Sequence, residues 1–88
     1  MRILVVVASK HHATEEIGDV IVEELRAAGH EARRLAPAEV RSLAGVDAVV
    51  LGSAVYTTQW MEPARAFVQH WSEELHRLPV WTFSCGLA

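Results

Sequence analysis

The chain has 88 residues, 51% of them hydrophobic, enough for one core and a single domain over 1–88 but too few for two. Eight basic residues against eleven acidic ones leave a net charge of -3, with Lys10 the only lysine, which argues against a nucleic-acid partner held by phosphate contacts. A lone cysteine, Cys85, excludes an internal disulfide, and no apolar run approaches the ~18–20 residues of a membrane span, so a cytoplasmic protein is expected.

The chain opens on "RILVVVA", residues 2–8, a β-branched and aliphatic run that suits a strand buried on both faces of a parallel sheet. Its apolar stretch is too short for a signal peptide and leads directly into the polar loop Ser9 to Thr14. From Ile17 the apolar positions Val20, Ile21, Leu25 and Ala28 recur at helical spacing, predicting a helix over 14–28 with Thr14 as N-cap and Gly29 as a left-handed terminator. "EARRL", residues 31–35, is a short charged strand of the kind that protects a sheet edge. The connection after it has room for a turn or two of helix around Ala38 to Leu43, before Val46 to Leu51 repeats the buried-strand pattern.

A second polar and aromatic loop is expected from Gly52 to Met61. Pro63 then opens a helix over 63–77, with Phe67, Val68, Trp71, Leu75 and Leu78 on one stripe. Pro79 closes it, and "VWTFS" reads as the last strand. Trp71 and Trp81 are expected in the core, whereas Tyr56 and Trp60 fall in a loop.

This alternation predicts an α/β fold with a doubly wound parallel sheet in the order 2-1-3-4. The first and third strands would then be neighbours whose connections diverge, and the loops following them would line one crevice. The first loop runs into a helix N-terminus, where free N–H groups and the macrodipole favour a phosphate. Glu15 and Glu16 would repel a dianion if turned inward and are expected to face solvent. No G-x-G-x-x-G, Walker lysine or G-x-S-x-G motif is present, and the first strand ends without a receiver's acidic cluster. Adjacent histidines at His11 and His12 do not make a metal site without ligands from elsewhere, so none is expected.

"ASKHHAT", "VVLGSAVYTTQWMEPARAFV" and "VWTFSCG", in that order, resemble the N-terminal part of a flavodoxin-like domain. Within that superfamily the resemblance is to proteins related to menaquinone-dependent protoporphyrinogen dehydrogenase. It implies FMN as cofactor and electron transfer or flavin-dependent oxidoreduction as function, with no side chain acting as acid or base. A redox partner protein or a quinone would exchange the electrons. The first loop, Ser9, Lys10, His11, His12, Ala13 and Thr14, would wrap the phosphate, and His12 stands where the pattern has glycine. Ser53, Ala54, Val55 and Tyr56, with Trp60 close behind, would cover one side of the flavin ring. Ser84, Cys85 and Gly86 fall where a third flavin loop begins.

A full domain of this type adds a fifth strand and a last helix, which this sequence lacks. Part of the sheet over the third and fourth strands is therefore expected to be uncovered on the face of the first helix. The fourth strand becomes an unprotected edge, so a homodimer through that face or edge is a further expectation. The alternative to an FMN module is a cofactor-free structural or protein-interaction module, a fragment or a degenerate flavodoxin-like domain.

Overall fold

The computed structural model describes residues 1–10, 12–56 and 59–86. Strand β1 (Arg2–Ala8) leads through the first loop to helix α1 (Ala13–Ala27), and strand β2 (Glu31–Leu35) follows. A single 3-10 turn at Pro37–Glu39 precedes β3 (Ala48–Tyr56), the two-residue strand β4 (Gln59–Trp60), helices α2 (Glu62–His70) and α3 (Ser72–Leu75), and β5 (Val80–Gly86).

The sheet has β2, β1, β3 and β5 side by side and all parallel, which is the expected doubly wound order with β5 as the fourth long strand. β1 earns its apolar run: Ile3 to Ala8 are all buried because helices cover both sides. Leu4 and Val6 point into one cluster with Val49, Leu51, Val40, Leu43 and Phe67, against which Trp71, Leu75 and Leu78 pack. Val5 and Val7 point the other way, into a smaller cluster with Val22 and Ala32, flanked by Ile21, Leu25, Val50 and Phe83. The charged β2 pairs with β1 and forms one edge, as its composition predicts.

Several boundaries differ from the sequence reading. β3 does not end at Leu51. It continues through Gly52 to Tyr56, because β5 pairs with it as far as Val55↔Gly86, and β4 then folds back antiparallel with Val55↔Trp60 and Tyr56↔Gln59. The expected loop of Gly52 to Met61 is therefore largely sheet, and Tyr56 and Trp60 are strand residues. Ser84, Cys85 and Gly86 likewise belong to β5 and do not begin a loop. Gly52 is required by a close approach: a Cβ there would lie 2.1 Å from Cζ of Phe83, its register partner on β5.

The helix expected over 63–77 is broken at Trp71, whose backbone (φ -102°, ψ 18°) leaves the helical region. Pro63 is the second residue of α2, behind Glu62. The offset lets Trp71, Leu75 and Leu78 all reach the cluster above β1 and β3. The connection before β3 holds only the 3-10 turn, and its apolar side chains Val40 and Leu43 enter the core without helical support. Gly29 has φ 92°, as a helix terminator should.

The α1 face is incompletely covered. Trp81, expected in the core, is 56% exposed, and Ile17, on the flank of α1 away from Asp19, is 40% exposed. Arg34 explains which flank this is: it anchors Asp19 and Glu15 on the β2 side of α1, which turns Ile17 toward β3 and β5. The described residues include nothing packed over Trp81 on that side, whereas Val50 and Phe83 beside it are half-buried.

Candidate functional site

β1 and β3 run side by side, paired to Ala8↔Ser53, and beyond that point the chain leaves in two directions. β1 passes into the loop before α1, and β3 runs on into the β4 hairpin. This divergence is the crevice at which doubly wound sheets bind ligands.

On the first side, Ser9 is half-buried, and Lys10, His12 and Ala13 are exposed. His11 lies outside the described residues. His12 takes φ 66° and ψ -17°, a left-handed turn that directs the chain from the sheet end into α1. The sequence reading made Thr14 the N-cap; in the fold His12 occupies that position and Thr14 is the second helical residue, 2% exposed. The turn at His12 places the N-cap two residues earlier and tucks Thr14 beneath it. The His12 ring projects outward, with 86% of its side chain exposed, and gives no side-chain bond to the helix N–H groups. Its Nδ1 faces Oε2 of Glu15 instead. A carboxylate only accepts, so Nδ1 carries the proton in that bond.

Glu15 is a second departure from expectation. It does not face solvent: its side chain is 28% exposed and lies between His12 and Nη1 of Arg34, the latter at 3.4 Å. Nε of Arg34 donates to Oδ1 of Asp19 at 2.6 Å. The Asp19 bond pushes the Arg34 guanidinium above the ordinary arginine range against the opposing effect of its partial burial, helped by the nearby carboxylates of Glu15 and Glu39. Glu16 is exposed.

On the second side, Ser53 and Ala54 are buried. The Ser53 hydroxyl donates to the Ala54 carbonyl at 2.8 Å and accepts the Met61 N–H at 3.1 Å. Met61 is the N-cap of α2, so one buried hydroxyl fastens the sheet end to the start of the next helix. Trp60 packs against the larger core cluster, and its indole N–H donates to Oγ of Ser84 at 2.9 Å. Ser84 is the register partner of Ser53, so the two serines bracket the hairpin from adjacent strands. Val55 is half-buried, and the Tyr56 side chain lies outside the described residues. Cys85 is a half-buried free thiol beside Ala54 in register.

The fold thus brings the Ser9–Thr14 loop and the Ser53–Trp60 segment to the same end of the sheet, with Ser84 to Gly86 beside the second. Two features escaped the sequence reading. Arg34 looked like edge protection, and only the packing of α1 on β2 reveals its partners. The Ser53 to Met61 bond spans eight residues that read as a loop. A cavity of about 460 Å³ near Arg2, Arg26, Glu31 and Arg33 lies at the opposite end of the sheet, where strands begin, and Arg2 there is engaged by Glu31 and Asp47. Doubly wound sheets do not place their sites at that end. Among the described residues, no three His, Cys, Asp or Glu side chains are grouped to hold a metal ion, and no helix is long and apolar enough to cross a membrane.

Solved structures share this fold. Rubredoxin oxygen:oxidoreductase from the anaerobe Desulfovibrio gigas superposes with a TM-score of 0.85 at 15% identity, over 97% of this chain and 23% of its own. A flavodoxin from the domain Archaea superposes with a TM-score of 0.78 at 12% identity, over 99% of this chain and 84% of its own. The C101S mutant of flavodoxin from Pseudomonas aeruginosa gives 0.80 at 20% identity, over 98% of this chain and 61% of its own. The chain therefore spans under a quarter of the Desulfovibrio protein and less than two thirds of the Pseudomonas one. No curated protein matches the sequence significantly. The sequence itself matches the Flavodoxin domain family over residues 4–88, and the chain, flavodoxin-like in fold, belongs to that family.

Proposed function

We propose that this domain binds FMN at the C-terminal ends of β1 and β3 and serves as an electron-transfer module, in a role related to the protoporphyrinogen dehydrogenase group that its sequence resembles. The observation that carries the reading is the start of α1. A left-handed turn at His12 delivers the chain to the helix with no side-chain cap, and the first intrahelical bond is Glu16 N–H to the His12 carbonyl. The N–H groups of Ala13, Thr14 and Glu15 precede that bond and have no acceptor within the helix. Such a turn is what a glycine would supply in this family, and the His12 ring itself projects outward, away from the fold.

The residues present fit the phosphate end of FMN. Ser9, Lys10, His11, His12, Ala13 and Thr14 would hold it through backbone N–H groups, hydroxyls and cationic side chains. Ala54, Val55, Tyr56 and Trp60 would flank the ring, with Ser53 fixing the shape of that segment, and Ser84, Cys85 and Gly86 would lie at its far side. When bound, the flavin supplies the electron chemistry, and the protein's part is to bind, orient and shield it. A redox protein or a quinone would exchange electrons with it, in a cytoplasmic setting. The test is titration of the purified chain with FMN and with riboflavin, followed by flavin fluorescence. Saturable binding with clear preference for FMN is expected, and no binding by folded protein refutes the reading.

A second reading is favoured by the exposure of Trp81 and Ile17 on the α1 face of the sheet. There the domain is a protein-interaction module, and a second copy associates through that face or the β5 edge.

A further inference from the structure

The carboxylate of Glu15 stands at the third residue of α1, the position from which a glutamate ordinarily reaches back to cap the helix start. The same chain does this elsewhere: Oε1 of Glu39, third in its 3-10 turn, accepts the Ala36 N–H at 2.8 Å. Glu15 does not. One of its oxygens is taken by the His12 ring and the other faces Nη1 of Arg34. Arg34 arrives from β2, beneath α1, through a gap that Gly18 leaves: a Cβ on Gly18 would lie 3.0 Å from Cδ of Arg34 and 2.8 Å from Cγ2 of Val7. Asp19 fixes the guanidinium from its other side. Two half-buried charged side chains, an absent Cβ and a diverted capping residue thus act together.

We propose that Arg34 is a positioning residue for the phosphate end of the flavin. Together with the His12 ring it holds Glu15 away from the helix start, so that an anionic ligand meets open donors instead of a carboxylate. Arg34 touches no ligand. The inference rests on the FMN reading given above, and it assigns to the β2 edge a part in choosing phosphorylated over unphosphorylated flavin. Without the guanidinium, Glu15 is held by the His12 ring alone, and its freed oxygen turns toward the His12 backbone N–H, the donor a third-position glutamate caps, adding negative charge where the phosphate binds.

The experiment compares FMN and riboflavin dissociation constants for wild type, Arg34→Met, Glu15→Gln and the double variant, with folding checked by circular dichroism. Methionine keeps the stem that packs against Gly18. Arg34→Met is expected to lower the preference for FMN about two- to thirtyfold, the range open to one carboxylate at a helix N-terminus, with riboflavin affinity unchanged. Glu15→Gln alone keeps the wild-type preference, and in the double variant it restores what Arg34→Met lost. A general structural role would weaken both ligands and would not be rescued. An unchanged preference in Arg34→Met, or a double variant as poor as the single, overturns the inference. If Arg34→Met does not fold, Arg34→Lys takes its place. A single ammonium cannot serve Asp19 and Glu15 with the same fork, so a partial loss rescued by Glu15→Gln is expected, and no loss overturns the proposal. Wild type without any preference for FMN refutes the function and this inference together. Wild-type preference that ignores Arg34 refutes the inference alone.

Discussion

Replacing Gly52 by alanine tests the packing that extends β3 into the site. Inside a strand, alanine ordinarily stabilises relative to glycine by roughly 0.5–1 kcal/mol, so any loss reports on surroundings. Here the added methyl would sit 2.1, 2.3 and 2.5 Å from three carbons of the Phe83 ring, against the 3.5–4.0 Å of a favourable carbon contact. The ring must move by more than 1 Å, which disturbs its packing against the cluster of Val5 and Val7. Overpacking of this kind costs about 1–3 kcal/mol, and lifting the ring off its cluster forfeits a comparable amount of apolar burial. Gly52→Ala is thus expected to lose about 2 kcal/mol net in urea unfolding, or about 8–16 °C in Tm for a domain of this size. Phe83→Ala removes the clash, so in the Phe83→Ala background the same glycine substitution is expected to be neutral or stabilising. A Gly52→Ala protein as stable as wild type, or a loss of equal size in both backgrounds, would refute the assignment of this glycine to a ring contact.

Ser53→Ala leaves the Met61 N–H without its acceptor at a partly buried site, and a loss of about 1–3 kcal/mol in chemical denaturation is expected. A change below 0.5 kcal/mol, roughly the error of such measurements, would show that water replaces the hydroxyl and that Ser53 does not fasten the hairpin. On the interaction reading, sedimentation velocity of wild type shows mass rising with concentration, and Trp81→Ser, which removes the large exposed ring, lowers it; a wild-type monomer at every concentration removes that reading.

Much of the fold was legible in the chain. The unbroken run Ile3 to Ala8 required cover on both faces, and the charges of Glu31, Arg33 and Arg34 marked an edge. The site was legible in part. The family pattern placed His12 where glycine is usual, and only the fold shows that its backbone takes the left-handed turn, with φ 66°. The length of β3 was not legible: Gly52, Ser53 and Tyr56 have loop-like composition, and they become strand only because β5 and β4 supply hydrogen-bond partners. Trp81 misled for the opposite reason. Its strand is real, but burial depends on what lies over the strand, and nothing local to residue 81 carries that information.

What the sequence alone determined is the order of strands and helices, the parallel buried sheet and the crevice after β1 and β3, since these follow from periodicity, turn residues and the handedness of crossovers. Only the tertiary structure decided which polar groups are bonded within the fold. Ser53 and Trp60 read as site residues, yet their polar atoms are bonded to Met61 and Ser84. Glu15 read as a solvent residue and is held by a strand arginine nineteen positions away. Hydrogen bonds and ion pairs of this kind join groups distant in sequence, and their partners exist only after the sheet has assembled.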